Sequence, residues 1–159
     1  MKKIARKVWV ISAIILLVIT AFLVFQFQMP HRDVVSLEAD YSISANELVD
    51  EYLLDPKKAN QKYLDAEGDS KILSVNGKVS KFEKDLAGNI VLLLKQENSK
   101  AGIQCTFTKK TNKHTKDIKI GDLVQIKGVI RSGASYDADL QMYEDVILEK
   151  CDIKQSLEF

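Results

Sequence analysis

The chain has 159 residues, with 23 Lys and Arg against 22 Asp and Glu, a formal net charge of +1, and two cysteines. That length holds one compact domain beside an N-terminal targeting segment. Near-neutral charge excludes a chain that grips polyanions by net charge alone.

The first element is an uncharged run over residues 8–27 (VWVISAIILLVITAFLVFQF), preceded by Lys2, Lys3, Arg6 and Lys7. A helix of that length rises about 30 Å, the thickness of bilayer hydrocarbon. Basic residues on the near side hold that end in the cytoplasm and send the remainder across. Trp9 falls at the cytoplasmic boundary, where an indole is at home, and Ser12 and Thr20 can bond back to the helix. A cleaved signal peptide is the alternative. Its apolar core runs about 7–15 residues and ends in a small-x-small site. This run is longer and ends in Phe25, Gln26, Phe27, Gln28 and Met29, with no cysteine there to carry a lipid. No Gly-x-x-x-Gly motif supports helix pairing in the membrane. The reading is a cytoplasmic stub over residues 1–7, an uncleaved transmembrane helix over 8–27, and an extracytoplasmic domain on the cell membrane.

Four of the basic residues and none of the acidic ones precede the run, so the part beyond it carries 19 basic against 22 acidic groups, a net charge of −3. Residues 28–43 mix Pro, His, Arg, Asp and Ser without a sustained period and read as a linker. Residues 44–70 read as a helical extension. Ser44 and Glu47 form a capping box, and Leu48 and Tyr52 with Val49 or Leu53 give a helical stripe. Asp55-Pro56 caps and starts a second helix that turns Ala59, Tyr63 and Leu64 inward, and residues 66–70 (AEGDS) break it.

From residue 71 the period changes to two. Leu73, Val75 and Val79 alternate with polar residues, and Gly77 stands where a strand can bend. A turn over 85–89 (DLAGN) leads to the apolar run 90–94, and a polar turn over 98–102 leads to a third strand with Ile103, Cys105 and Phe107 on one face. After a basic connection, Val124, Ile126 and Ile130 mark a fourth strand interrupted by Gly128. A loop over 132–139 precedes a last strand over about 141–153. Five strands in two hairpin-like groups suggest a small closed barrel over residues 71–153, followed by a tail over 154–159. An open five-stranded sheet on the two helices is the alternative.

The ordered segments 59–63 (ANQKY), 74–79 (SVNGKV), 104–107 (QCTF), 121–128 (GDLVQIKG) and 147–151 (ILEKC) resemble the tRNA-anti-like family of bacterial OB-fold proteins, many of them membrane-anchored or lipoproteins. The chain departs from that pattern in a longer loop before the first barrel strand and in a membrane span where relatives can carry a lipidated cysteine. The resemblance implies a mainly β fold with some α: a five-stranded OB-fold-like barrel with an N-terminal helical extension. By analogy of fold it also implies nucleic-acid binding. An OB barrel sets its third strand beside its fifth, which makes Cys105 and Cys151 neighbours. In an oxidising compartment a disulfide between them is the expectation, closing about 45 residues for roughly 4 kcal/mol. Two buried thiols are the alternative.

Lys109, Lys110, Lys113, His114 and Lys116 form the densest basic cluster beyond the span. It could meet phosphates of nucleic acid or of lipid headgroups, or serve as a solvated loop. OB folds that bind single strands place aromatics on the second and third strands and in loops 1-2 and 4-5. The candidates are Phe82, Phe107 and Tyr136. Phe107 shares its parity with Ile103 and reads as core, which leaves Tyr136, then Phe82 with Lys84. His31 and His114 lie in loops without a nucleophile arrangement. Asp137, Asp139, Glu144 and Asp145 lack the spacing of a calcium loop. The expectation is a binding module with no catalytic site, cofactor or metal. Its ligand is an envelope protein or oligosaccharide; single-stranded nucleic acid is the alternative, disfavoured by the acidic balance.

Overall fold

Strand β2 (Ile72–Lys84) joins two halves of the sheet in the computed structural model, which describes residues 15–20, 34, 36–66 and 68–157. Its first half, from Ile72 to Lys78, pairs antiparallel with β5 (Leu123–Ser132), and its second half, from Val79 to Lys84, pairs antiparallel with β3 (Ile90–Leu94). A bulge between Val79 and Lys81 makes the bend between them. Strand β3 pairs antiparallel with β4 (Ile103–Phe107), β4 parallel with β8 (Val146–Leu157), and β8 antiparallel with β5, which closes the ring. The chain has the five-stranded closed barrel of an OB fold, not the open sheet. A short parallel strand, β1 (Tyr41–Ser44), covers the edge of β2 that β3 does not reach.

The chain divides into two compact units, Met1–Arg32 and Asp33–Phe159. In the first, residues 15–20 are helical, and the Thr20 hydroxyl donates back to the Leu16 carbonyl. The rest of the expected transmembrane helix lies outside the described residues, and among the described residues no helix is long and apolar enough to cross a membrane. In the second unit part of the stretch read as linker packs on the barrel. Val34 is buried with Ile72 and Val129, and Ala39 packs on them. Asp40 trades two hydrogen bonds with Ile72, through its own N–H to the carbonyl and through its carboxylate to the N–H.

Helices α1 (Ala45–Leu54) and α2 (Pro56–Tyr63) start where their caps predict. Ser44 and Glu47 complete the capping box, and the Asp55 carboxylate accepts from the Lys58 N–H at 3.0 Å. Ala45, Leu48, Val49 and Tyr52 from α1 and Ala59 and Tyr63 from α2 join the same core as the barrel interior. Helix α1 sits at the end of the barrel where β3 stops and β4 and β8 begin. Gly77 lets it approach: a Cβ there would lie 3.0 Å from the Ala45 Cβ and 3.1 Å from the Leu94 Cβ. Lys62 clamps the two helices, with its ammonium 3.0 Å from both Glu51 oxygens and over the Tyr63 ring at 4.7 Å. The opposite end is closed by the connection between β4 and β5, which carries a 3₁₀ turn (Asn112–Thr115). His114 Nδ1 meets the Asp152 carboxylate there at 2.5 Å.

Two further elements depart from the expected pattern. The loop over 132–139 contains half of a hairpin, β6 (Ser135–Asp137) with β7 (Met142–Glu144), so the expected last strand divides at Asp145. Strand β8 then runs on to Leu157, through what reads as tail.

The Tyr52 ring occupies the space a side chain at residue 133 would need; a Cβ on Gly133 would fall 1.9 Å from Tyr52 Cε1. Gly133→Ala is therefore expected to cost at least about 2 kcal/mol in urea unfolding, with much of the loss restored by Tyr52→Leu in the same chain. The clamp gives a pH dependence. Burial tends to raise the Glu51 carboxyl, but hydrogen bonds from Lys62 and Tyr63 outweigh it and hold it below its ordinary value of 4.5. Its stabilising effect is thus complete above that value and is lost as pH falls through the lower folded value. Glu51→Gln should lower stability near neutral pH by about 1 kcal/mol or less, because both groups are part-exposed. Denaturation curves of the two proteins should converge in acid.

Candidate functional site

OB folds bind ligands on the outer face of their second and third strands, between the loops joining strands one to two and four to five. Here that face belongs to β3 and β4. Register sets Val91 opposite Thr106 and Leu93 opposite Gln104, and all four point away from the buried Leu92, Leu94, Ile103 and Cys105. Val91, Leu93 and Thr106 are half-buried and Gln104 is exposed. Glu83 and Lys81 of β2 stand opposite Val91 and Leu93 and pair with each other at 2.7 Å. Ile147 of β8 borders the face beside Gln104. The floor is apolar at its centre and polar at its margins.

Two different loops flank it. One is the turn over residues 85–89. The Asp85 carboxylate accepts from the side-chain amide and the backbone N–H of Asn89, in that order of effect, which holds it below the usual carboxylate range. Gly88, at φ +80°, allows the turn, and Leu86 at its tip is fully exposed. Asn112 fastens the basic connection to this turn: its side chain accepts from the Ile90 N–H at 2.9 Å and donates to the Gly88 carbonyl at 3.2 Å. Lys109, Lys110, Lys113 and Lys116, all exposed, therefore gather beside the turn. Phe82 and Lys84 stand opposite Leu92 and Ile90 on the lip of the barrel, next to them. Six of the residues singled out in the sequence thus meet at one end.

Tyr136 is at the other end. It sits on β6, exposed, with its ring 4.9 Å from that of Tyr143, and Lys100 lies 5.5 Å over Tyr143. Leu140 and Met142 of the same hairpin are also exposed. Three carboxylates in and beside this hairpin have hydrogen-bond partners. Asp137 accepts from the N–H groups of Asp139 and Leu140, Glu144 from the Ser135 hydroxyl, and Asp145 from the Gly102 N–H and the Gln104 amide. Phe107 is core. The sequence reading missed Val91 and Leu93 because IVLLL is an unbroken apolar run with no visible alternation. Leu86 had a signal: a large apolar residue inside a turn.

An open groove of about 970 Å³ lies away from this face, between α1 and the loop joining β3 to β4. Of its three carboxylates, Glu47 and Glu51 already serve the helix cap and the clamp, and Asp50 is the third. Among the described residues no cluster of His, Cys, Asp and Glu could hold a metal ion.

The expected disulfide is a correction: Cys105 and Cys151 are free, buried thiols. A bulge in the pairing of β4 with β8 sets Cys105 opposite Leu148 and Cys151 opposite Phe107, so the two are neighbours without being paired in register. Gly128 makes room for Cys151; a Cβ there would lie 2.6 Å from its Sγ. Burial first, and then the Cys105 thiol, pushes the Cys151 thiol well up, which keeps it protonated and inert.

The tRNA_anti-like family model matches residues 1–143. A solved structure described as a "putative nucleic acid-binding lipoprotein from Klebsiella pneumoniae" superposes with a TM-score of 0.52 at 16% identity, covering 80% of this chain and 100% of that one. That likeness is one of fold. Among curated proteins none matches the chain.

The thiols are checked by mass. Native protein isolated from its own compartment should resist iodoacetamide, and without reductant both cysteines should be alkylated once urea is added. A mass that stays unchanged in urea would show a bridge.

Proposed function

We propose that this chain, which belongs to the tRNA_anti-like family, is a membrane-anchored binding module. Its OB barrel lies outside the cytoplasm and holds an envelope protein segment or oligosaccharide across the β3–β4 face. The uncharged run over residues 8–27, with basic residues on one side only, supports the anchor and its orientation. The observation that carries the ligand reading is the floor of the site. Val91, Leu93, Gln104 and Thr106 offer a narrow apolar centre with hydrogen-bonding margins and no aromatic ring. That composition suits an extended peptide or a sugar face more than a row of stacked bases. The net charge of −3 beyond the run points the same way.

Single-stranded nucleic acid is the second reading. It is favoured by the gathering of Lys84, Lys109, Lys110, Lys113 and Lys116 beside Phe82, and by the description of the Klebsiella neighbour. Catalysis has no residues to nominate, so the chain is read as a binder and not as an enzyme.

A photo-crosslinking residue placed at Gln104 or Tyr136 in intact cells should capture a defined envelope protein or glycan. One placed at Lys57, on the exposed side of α2, should not. Tyr136→Ala should weaken that ligand roughly tenfold, about 1.4 kcal/mol, while urea unfolding stays unchanged. Anisotropy of a labelled single strand should show no binding at low salt. Tight binding there that collapses with added salt would move the assignment to the second reading.

A further inference from the structure

The end of the barrel that carries Leu86 has a chemistry the β3–β4 floor does not explain. Lys84, Lys109, Lys110, Lys113 and Lys116 are all exposed, and among the described residues none of them is ion-paired. Of the nearby carboxylates Glu83 pairs with Lys81 and Asp152 with His114, which leaves Asp85 and Asp117 outside any ion pair among the described residues, against five such lysines. Beside this cationic connection Leu86 is held out on a tight turn. Its side chain is fully exposed, while the Asp85–Asn89 hydrogen bonds and the Asn112–Gly88 bond fix the turn that carries it. Phe82 adds a partly exposed ring on the same lip.

An apolar tip on a hydrogen-bonded turn, with unpaired lysines beside it, fits a surface that is anionic at its face and apolar just beneath. We propose that this end of the barrel docks on an anionic lipid bilayer, with Leu86 entering the boundary between headgroups and acyl chains and the lysines lying among the headgroup phosphates. A nucleic-acid strand would use the lysines and leave Leu86 unexplained, because an aliphatic tip gives a base no π-face to stack on. The anchor reading above enters for proximity only. Six residues lie between Phe27 and Val34, seven chain steps that reach about 25 Å when extended. Lysines act on a charged surface only within about a Debye length, some 8 Å at physiological salt. A short tether keeps that encounter frequent.

The test uses the full chain in vesicles. Cys105 and Cys151 are wholly buried, so Leu86→Cys supplies the one accessible thiol among the described residues for an environment-sensitive fluorophore. Leu140→Cys, in the hairpin at the opposite end, is the control. In phosphatidylglycerol vesicles the probe at 86 should shift to the blue and be quenched by nitroxide-bearing lipids. In phosphatidylcholine it should do neither, and salt at about 1 M should reverse the effect, since the Debye length is then about 3 Å. The triple variant Lys109→Gln, Lys110→Gln, Lys113→Gln should lose most of the response. Equal signals at 86 in the two lipids, or equal signals at 86 and 140, would overturn the proposal. So would a single-stranded oligonucleotide that shields the probe at 86 when anionic lipid does not, which would give the rim to nucleic acid. Alkaline extraction reads the anchor separately: a chain stripped from both kinds of vesicle has no transmembrane helix, whatever the probe at 86 reports.

Discussion

The fold depends on one strand serving two partners. Strand β2 gives its first seven residues to β5 and its second half to β3, and the bulge at Val79 and Lys81 lets it turn from one to the other. Without that bend the five strands would make an open sheet with two edges to protect. With it, the first half of β2 pairs with β5 along one edge, and β1 lies along the other. Gly77 sits just before the bend because two neighbours, Ala45 and Leu94, come within about 3 Å of where its Cβ would be. Closure therefore sets more than topology. It fixes β3 and β4 side by side with Val91, Leu93, Gln104 and Thr106 outward, and it puts the turn over 85–89 and the β6–β7 hairpin at opposite ends of that face.

Much of this was legible from residue types. The capping box at Ser44 and Glu47, the Asp55-Pro56 helix start and the inward Ala59 and Tyr63 all follow from local chemistry, and local chemistry decides them. The alternation of Ile103, Cys105 and Phe107 was equally plain. The choice between barrel and open sheet was not, because it rests on which strand pairs with which over long separations, and period two is silent on that. Strand β1 escaped notice for a related reason. Its four residues, YSIS, carry little pattern of their own and form a strand by pairing with β2. Residues 34 and 39 looked like tether because their apolar partners, Ile72 and Val129, are far along the chain.

The candidate site divides in the same way. The lysines at 109, 110, 113 and 116 were conspicuous in the sequence, but their company with Lys84 and Phe82 depends on Asn112, whose two hydrogen bonds to the turn over 85–89 nothing local announces. Tyr136 belongs to the opposite end and packs on Tyr143, so the aromatic and the lysines flank the face and do not form one patch. The cysteines teach the opposite lesson. Adjacent strands, and an oxidising compartment if the uncharged run over residues 8–27 exports the domain, argue for a bridge, yet a single bulge shifts Cys105 and Cys151 out of register, and Gly128 gives the second sulfur its own room. The result is a face with an apolar floor, a cationic rim and an aromatic hairpin, whose chemistries suit different contacts.

Closure through β2 is tested most directly by native-state hydrogen exchange. The amides of β2 that bond to β5 and those that bond to β3 should exchange only through global unfolding, with the same free energy and the same denaturant dependence. Exchange of the β5-paired half by an independent local opening, while the β3-paired half stays protected, would mean that the ring is not closed in solution, and the face built on it would lose its frame.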